Sequence, residues 1–362
     1  MVTGTRQLWI LLTIILLVRL VTTGLFPVID TTEARYAEIS RLMLTSGDWL
    51  VPQFREGIPF WGKPPLFAWM TAGSFKLLGV SEFSARLPHF VLGLATLLLV
   101  LRIGRFQMGA NSPLLAVLIL ASTPLFFASS GTVMTESGLL FSTTLSMVGF
   151  WLCICGHSRL WGLMFFAGLG LGMLAKGPVA LVMTGLPLVA WWMSKPQSQK
   201  HQDQKRQGQK HQIANLPWFS GLVLCLFIAV PWYLLAEQHS PGFLEYFFVG
   251  EHFLRFVQSG WQGDLYGNAH HEPFGMIWIL WFQATAAWGL LFAFAALRNG
   301  RQFFGSADRS GPLFSDWQRY LLCWILTPLV FFTFSNNILW TYVITGLPAF
   351  ALYLASSTEE FS

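Results

Sequence analysis

Apolar residues in this chain fall in long unbroken runs rather than in the short periods of a soluble core. The runs lie at roughly 8–28, 87–104, 113–129, 138–156, 160–175, 178–193, 217–236, 275–297, 319–334 and 339–356. Several approach the roughly 20 residues that a helix needs to cross about 30 Å of hydrocarbon. In lipid, backbone polar groups must be satisfied within the segment, which favours helices. The pattern therefore predicts an all-α polytopic membrane protein, a single bundle of about ten transmembrane helices. Two intervening stretches, 29–86 and 237–274, are long and rich in aromatics, as segments lying at a membrane interface are. Thr31–Ser46 is amphipathic, with Tyr36, Ile39 and Met43 on one face. A second interfacial helix is expected from Pro64-Pro65, since proline suits a first turn. It would carry Leu66, Phe67, Trp69 and Met70 along the bilayer surface. The stretch 194–216 is rich in Gln, Lys and His and has no apolar period, so it reads as a flexible cytoplasmic tether. Gly168, Gly170 and Gly172 predict a close helix-packing face.

Composition sharpens this picture. Only 11% of the residues are charged, against about 25% in soluble domains. The net charge of +5 is spread over loops, without the basic stripe that a nucleic-acid partner would require. The first run is longer than a signal-peptide core and no small-residue cleavage site follows it, so it reads as an uncleaved span. With the N-terminus inside and the spans alternating, 13 Lys and Arg fall on the cytoplasmic side and 8 outside, the bias expected of short loops. The acids gather on the outer side, which points to polar chemistry there. Cys153, Cys155, Cys225 and Cys323 lie inside apolar runs and predict no disulfide.

The candidate chemistry lies in those outer loops. Asp30 ends the first run, and Asp30 with Glu33 has the form of a helix-capping pair. Lys63, set between an aromatic pair and two prolines, can bind an anion together with Arg35, or can reach to lipid headgroups. Glu136 stands at an outer hairpin tip, where a cap is the alternative role, and Lys176 interrupts two apolar runs before Gly177-Pro178. His252, His270 and His271, with Glu251, Asp264 and Glu272, could hold a divalent cation, although the spacing is not a zinc signature.

Taken in order, these pieces resemble the polyprenyl-phosphate-sugar-dependent glycosyltransferases, the superfamily that includes protein O-mannosyltransferases and lipid A aminoarabinose transferases. The resemblance rests on Asp30 with Arg35-Tyr36-Ala37-Glu38, Ser46-Gly47-Asp48-Trp49, Lys63-Pro64-Pro65 and Glu82 through Pro88. Ala175-Lys176-Gly177-Pro178, Glu251 through Phe256, Phe334-Ser335, Tyr342 and Pro348 continue it. It implies a GT-C fold and inverting transfer of a sugar from a polyprenyl-phosphate donor to a lipid, glycan or protein acceptor, with the active site at the outer, periplasmic face of a bacterial inner membrane.

The same resemblance implies Asp30 as the catalytic carboxylate, Arg35 and Lys63 as the phosphate-binding pair and His252 as a metal-site histidine. Glu136 stands where many members have a second aspartate, and Lys176 joins the donor-binding set. The chain departs from the pattern twice. Thr32 occupies the place of the usual aspartate, which leaves either Asp30 or Glu33 as the base. Gly62 replaces the glutamate that often precedes the lysine, which bears on whether a divalent metal binds. A polyprenyl phosphate needs positive charge where its negative charge develops, and the acceptor hydroxyl needs a base within hydrogen-bond reach. A secondary transporter and a non-catalytic lipid-binding relative are the competing readings.

Overall fold

The computed structural model describes residues 2–109, 111–194, 213–258, 261, 263, 265–266, 271–294 and 314–359. Helices occupy every predicted run. They are α1 (Val2–Leu25), α4 (Glu82–Gln107), α5 (Ser112–Ser122), α6 (Pro124–Ser129), α7 (Thr135–Ile154), α8 (Arg159–Lys176), α9 (Pro178–Met193) and α10 (Trp218–His239). They continue as α11 (Met276–Thr285), α12 (Ala287–Phe294), α13 (Asp316–Phe332) and α14 (Leu347–Glu359). The chain is thus an integral membrane protein, but its spans are not ten uniform rods. Among the described residues, four helices are each long and apolar enough to cross a membrane: residues 4–25 of α1, α4, α7 and α10. The third predicted run breaks at Thr123-Pro124 into α5 and α6, because proline lacks the N–H that would continue the ladder. The eighth bends by 111° between α11 and α12, at Ala286, whose φ is 48°. The tenth opens with the tighter 3₁₀ turns Trp340–Gly346.

Helix α7 is the axis of the bundle, buried nearly throughout. Its hydroxyls remain satisfied inside the apolar interior. Thr143 and Thr144 donate to carbonyls one turn back, and Ser146 donates to the carbonyl of Phe165. The predicted glycine face divides in two. A Cβ on Gly168 would lie 2.3 Å from Ser146 Oγ, and one on Gly172 would lie 3.1 Å from Ser142 Oγ, so both meet α7. Gly170 points instead at Ile228 and the Cys225 carbonyl of α10. Positions four apart share a helix side, while the position between them lies opposite.

The first outer loop is folded. Helix α2 (Thr31–Ser46) begins at Asp30, whose side chain accepts from the backbone N–H groups of Thr32 and Glu33. It ends at Gly47 in the left-handed conformation, with φ 74°. Tyr36, Ile39 and Met43 are buried as its amphipathic pattern predicts. A short antiparallel pair, β1 (Gln53–Arg55) and β2 (Ile58–Pro59), leads to α3 (Leu66–Leu78). This helix does not simply lie along lipid. Phe67 is buried against Tyr36, with ring centroids 4.7 Å apart, and Trp69 donates to the carbonyl of Trp49 at 2.6 Å. Burying the rings also pairs their polar handles, which is why this loop is ordered.

Candidate active site

Following the spans alternately up and down brings the end of α1, the starts of α4, α7, α9 and α11, and the ends of α8, α10 and α13 to one end of the bundle. The first outer loop covers that end. Beneath it lies a cavity of about 480 Å³, within the usual size for a small-molecule site. Arg35, Lys63, Lys176 and Arg255 line it with Glu136 and Glu251, and Val182, Met183 and Phe332 provide apolar wall.

Helical phase decides which α2 residues reach this space. Thr32, Arg35 and Tyr36 share the side that lines it, being three and four residues apart. Glu33 points away. It is 4% exposed and accepts both arms of the Arg86 guanidinium, each at 2.8 Å. Glu33 also accepts from the backbone N–H of Val133. Arg86 donates further to the carbonyls of Thr23, Phe26 and Pro27 at the end of α1. One buried ion pair therefore joins α1, α2, α4 and the segment leading to Glu136. Asp30 is exposed and its carboxylate caps α2; it does not line the cavity. Of the predicted site residues, Arg35, Lys63, Glu136, Lys176 and His252 converge on the cavity, and Asp30 and Glu33 do not.

The carboxylates in the cavity are both paired. Lys176 Nζ lies 2.8 Å from Glu136 Oε1, and Thr135 donates to the other oxygen. Lys176 also sits over the Tyr342 ring, 5.2 Å from its centroid. The backbone after this lysine requires a glycine. Gly177 has φ 74°, and a Cβ there would lie 2.6 Å from the Phe247 ring. Opposite, Glu251 accepts from Lys63 at 3.1 Å and from Arg255 at 2.9 Å, and Tyr246 donates to it at 3.3 Å. Burial alone would raise the Glu251 carboxyl, but the charges and hydrogen bonds of Lys63 and Arg255 outweigh it and hold the group at about 2. Arg35 has no carboxylate partner among the described residues; its guanidinium lies 6.0 Å from the Phe54 centroid.

Glu251 and Arg255 line the cavity as well, although the sequence reading named Glu251 only in the candidate cation cluster and Arg255 only within a motif. Their i,i+4 spacing of opposite charges was the available signal. Arg86 was visible only as part of a motif. The π-helical segment Glu245–Leu254 aims Glu251 into the cavity, a distortion that often marks functional positions.

Among the described residues, the donor set does not fit a metal. His252 Nδ1 lies 2.7 Å from the carbonyl of Phe247, and Nε2 lies 3.2 Å from that of Lys176. Burial lowers its pKa. Glu251 is committed to two cations, and Gly62 brings no ligand. A Cβ at Gly62 would lie 3.0 Å from the Phe60 ring and 3.2 Å from that of Tyr266. Among the described residues, no three His, Cys, Asp or Glu side chains are grouped to hold an ion. Asp264 and His270 of the predicted cluster lie outside those residues.

The geometry can be set beside known proteins. The chain is 28% identical over 331 residues to the undecaprenyl phosphate-alpha-4-amino-4-deoxy-L-arabinose arabinosyl transferase of Erwinia tasmaniensis, covering 89% of this chain and 54% of that protein. An enzyme of the same description from Pseudomonas fluorescens is 29% identical, covering 98% and 57%. The chain thus spans little more than half the length of these relatives. The crystal structure of ArnT from Cupriavidus metallidurans bound to undecaprenyl phosphate superimposes with a TM-score of 0.80 at 22% identity, covering 99% of this chain and 61% of that one. The archaeal oligosaccharyltransferase AglB from Archaeoglobus fulgidus, in complex with an inhibitory peptide and a dolichol-phosphate, gives 0.57 at 13% identity, covering 96% and 50%. These likenesses establish the fold as that of this class of membrane enzymes. The sequence profile of the dolichyl-phosphate-mannose-protein mannosyltransferases matches residues 5–247, well over half of the chain, and the chain belongs to that family.

Proposed function

We propose that this protein is an inverting glycosyltransferase that takes a sugar from a polyprenyl-phosphate donor, with the reaction on the periplasmic face of a bacterial inner membrane. The observation that carries this reading is the cavity itself. Among the described residues, four cations and two carboxylates line it, Arg35 lacks a carboxylate partner, and apolar wall lies beside the charges. The prenyl chain would lie against the apolar helices and the phosphate among Arg35, Lys63 and Lys176. These cations offset the charge that grows on the leaving phosphate. No general acid is required, because a phosphate leaves readily.

The base in this reading is Glu136. It is the cavity carboxylate with a single cationic partner, whereas Glu251 is held by two. When the donor phosphate enters and shares Lys176, Glu136 can take the proton of the acceptor hydroxyl as that oxygen attacks the anomeric carbon. Attack from the face opposite the phosphate inverts the centre. The acceptor is a lipid, glycan or protein hydroxyl.

Membranes containing the protein, supplied with radiolabelled polyprenyl-phosphate sugar, should move label from the donor fraction into an acceptor fraction, and Glu136→Gln should abolish that movement. Label that stays with the donor in the presence of the unaltered protein, across lipid, glycan and protein acceptors, would leave a lipid-binding protein without transferase activity.

A further inference from the structure

Among the described residues, the charges lining the cavity do not sum to zero. Arg35, Lys63, Lys176 and Arg255 stand against Glu136 and Glu251, four positive groups and two negative, an excess of two. Both carboxylates have ammonium or guanidinium partners within hydrogen-bond distance. Their side chains are only 3% and 6% exposed, so the pairs are screened little by solvent. A sugar carrying an ammonium group would meet this excess and would need a carboxylate of its own. Taking one from Lys176 or Lys63 would leave that lysine buried without its counter-charge, which is costly.

A sugar-1-phosphodiester carries one negative charge if the sugar is neutral and none overall if the sugar is an amino sugar. Opposite charge favours the first, and the unmet ammonium disfavours the second. The aromatic lining, Tyr36, Phe60, Tyr266 and Tyr342, adds uncharged wall and no further carboxylate. We infer that the donor sugar is uncharged, a simple pentose or hexose, and that the two lysine–carboxylate pairs select against amino sugars. This sets the chain apart from the aminoarabinose enzymes that it resembles, and it rests on the polyprenyl-phosphate reading above.

The test is competition binding to the detergent-purified protein at pH 7, with three probes: undecaprenyl phosphate, its pentosyl ester and its 4-amino-4-deoxypentosyl ester. The pentosyl ester should bind about tenfold or more tightly than the amino ester, and the gap should close as pH rises through the amine's pKa. Lys176→Met, which strips Glu136 of its partner, should raise affinity for the amino ester and lower it for the phosphate. Equal or tighter binding of the amino ester by the unaltered protein overturns the inference while leaving the donor reading intact. Failure of all three probes to bind, the phosphate included, overturns the donor reading and the inference with it.

Discussion

A carboxylate's neighbours decide what it can do, and four acids of this chain end in four different states. Asp30 is spent on two backbone N–H groups, Glu33 on Arg86, Glu251 on two cations, and Glu136 on one lysine that a phosphate could share. This ordering gives the first prediction. Glu136→Gln should lower transfer by about two orders of magnitude or more while donor binding persists. Asp30→Asn, which keeps an N-cap nearly as good, should stay within a few-fold of the unaltered protein. Single-turnover rates with prebound donor would separate the two, and a dead Asp30→Asn beside an active Glu136→Gln would return the base to Asp30.

The second prediction follows from Glu251. Its pKa is depressed to about 2 in the folded protein, below the roughly 4.3 of an unfolded glutamate. Its contribution to stability is therefore fully present above about 4.3 and is lost as pH falls from there toward about 2. Glu251→Gln should melt several degrees below the unaltered protein at pH 7, and the difference should shrink between pH 4.5 and pH 3. A gap that is constant with pH would mean that the carboxylate's charge does not hold the loops together.

At the scale of elements, the cavity depends on a strut outside it. Arg86 ties the end of α1 to α2, and through Glu33 it reaches the Val133 N–H, three residues before Glu136. Removing either partner leaves a buried charge uncompensated, at a cost of about 3–5 kcal/mol. Removing both should cost much less than the sum. The prediction is that Glu33→Gln and Arg86→Met each lower both thermal stability and donor affinity, and that the double variant recovers part of the stability but not the affinity, because α2 then carries Arg35 without its anchor. Additive losses of stability would show that the pair does not act as one unit.

This strut also marks how far the sequence could be read. Helix positions, the buried face of α2 and the convergence of Arg35, Lys63, Glu136 and Lys176 follow from apolar runs and motif order. What Glu33 meets there does not, because its partner Arg86 lies in the distant α4. The inward turn of Phe67 and Trp69 was hidden for the same reason: an aromatic interfacial helix has one sequence whether it meets lipid or a protein wall. The 111° bend at Ala286 has no proline or glycine at the bend itself, so nothing local announces it.

For the whole molecule, sidedness determines what the protein can act on. The exposed turn at Glu56, in the loop over the cavity, and the exposed Arg159, at the start of α8, lie at opposite ends of the bundle by the alternation of α1 through α8. The lysine and arginine bias of the sequence places Arg159 in the cytoplasm and Glu56 outside. A cysteine at each position should therefore react differently with a membrane-impermeant maleimide. Applied to spheroplasts, the reagent should label Glu56→Cys above the background of the parent chain, and it should label Arg159→Cys only after permeabilisation. The native cysteines are buried or half-buried, which keeps that background low. The reverse pattern would turn the cavity toward the cytoplasm, where it would face nucleotide-sugar pools rather than periplasmic acceptors, and the proposed acceptor side would have to be abandoned even if polyprenyl phosphate still bound.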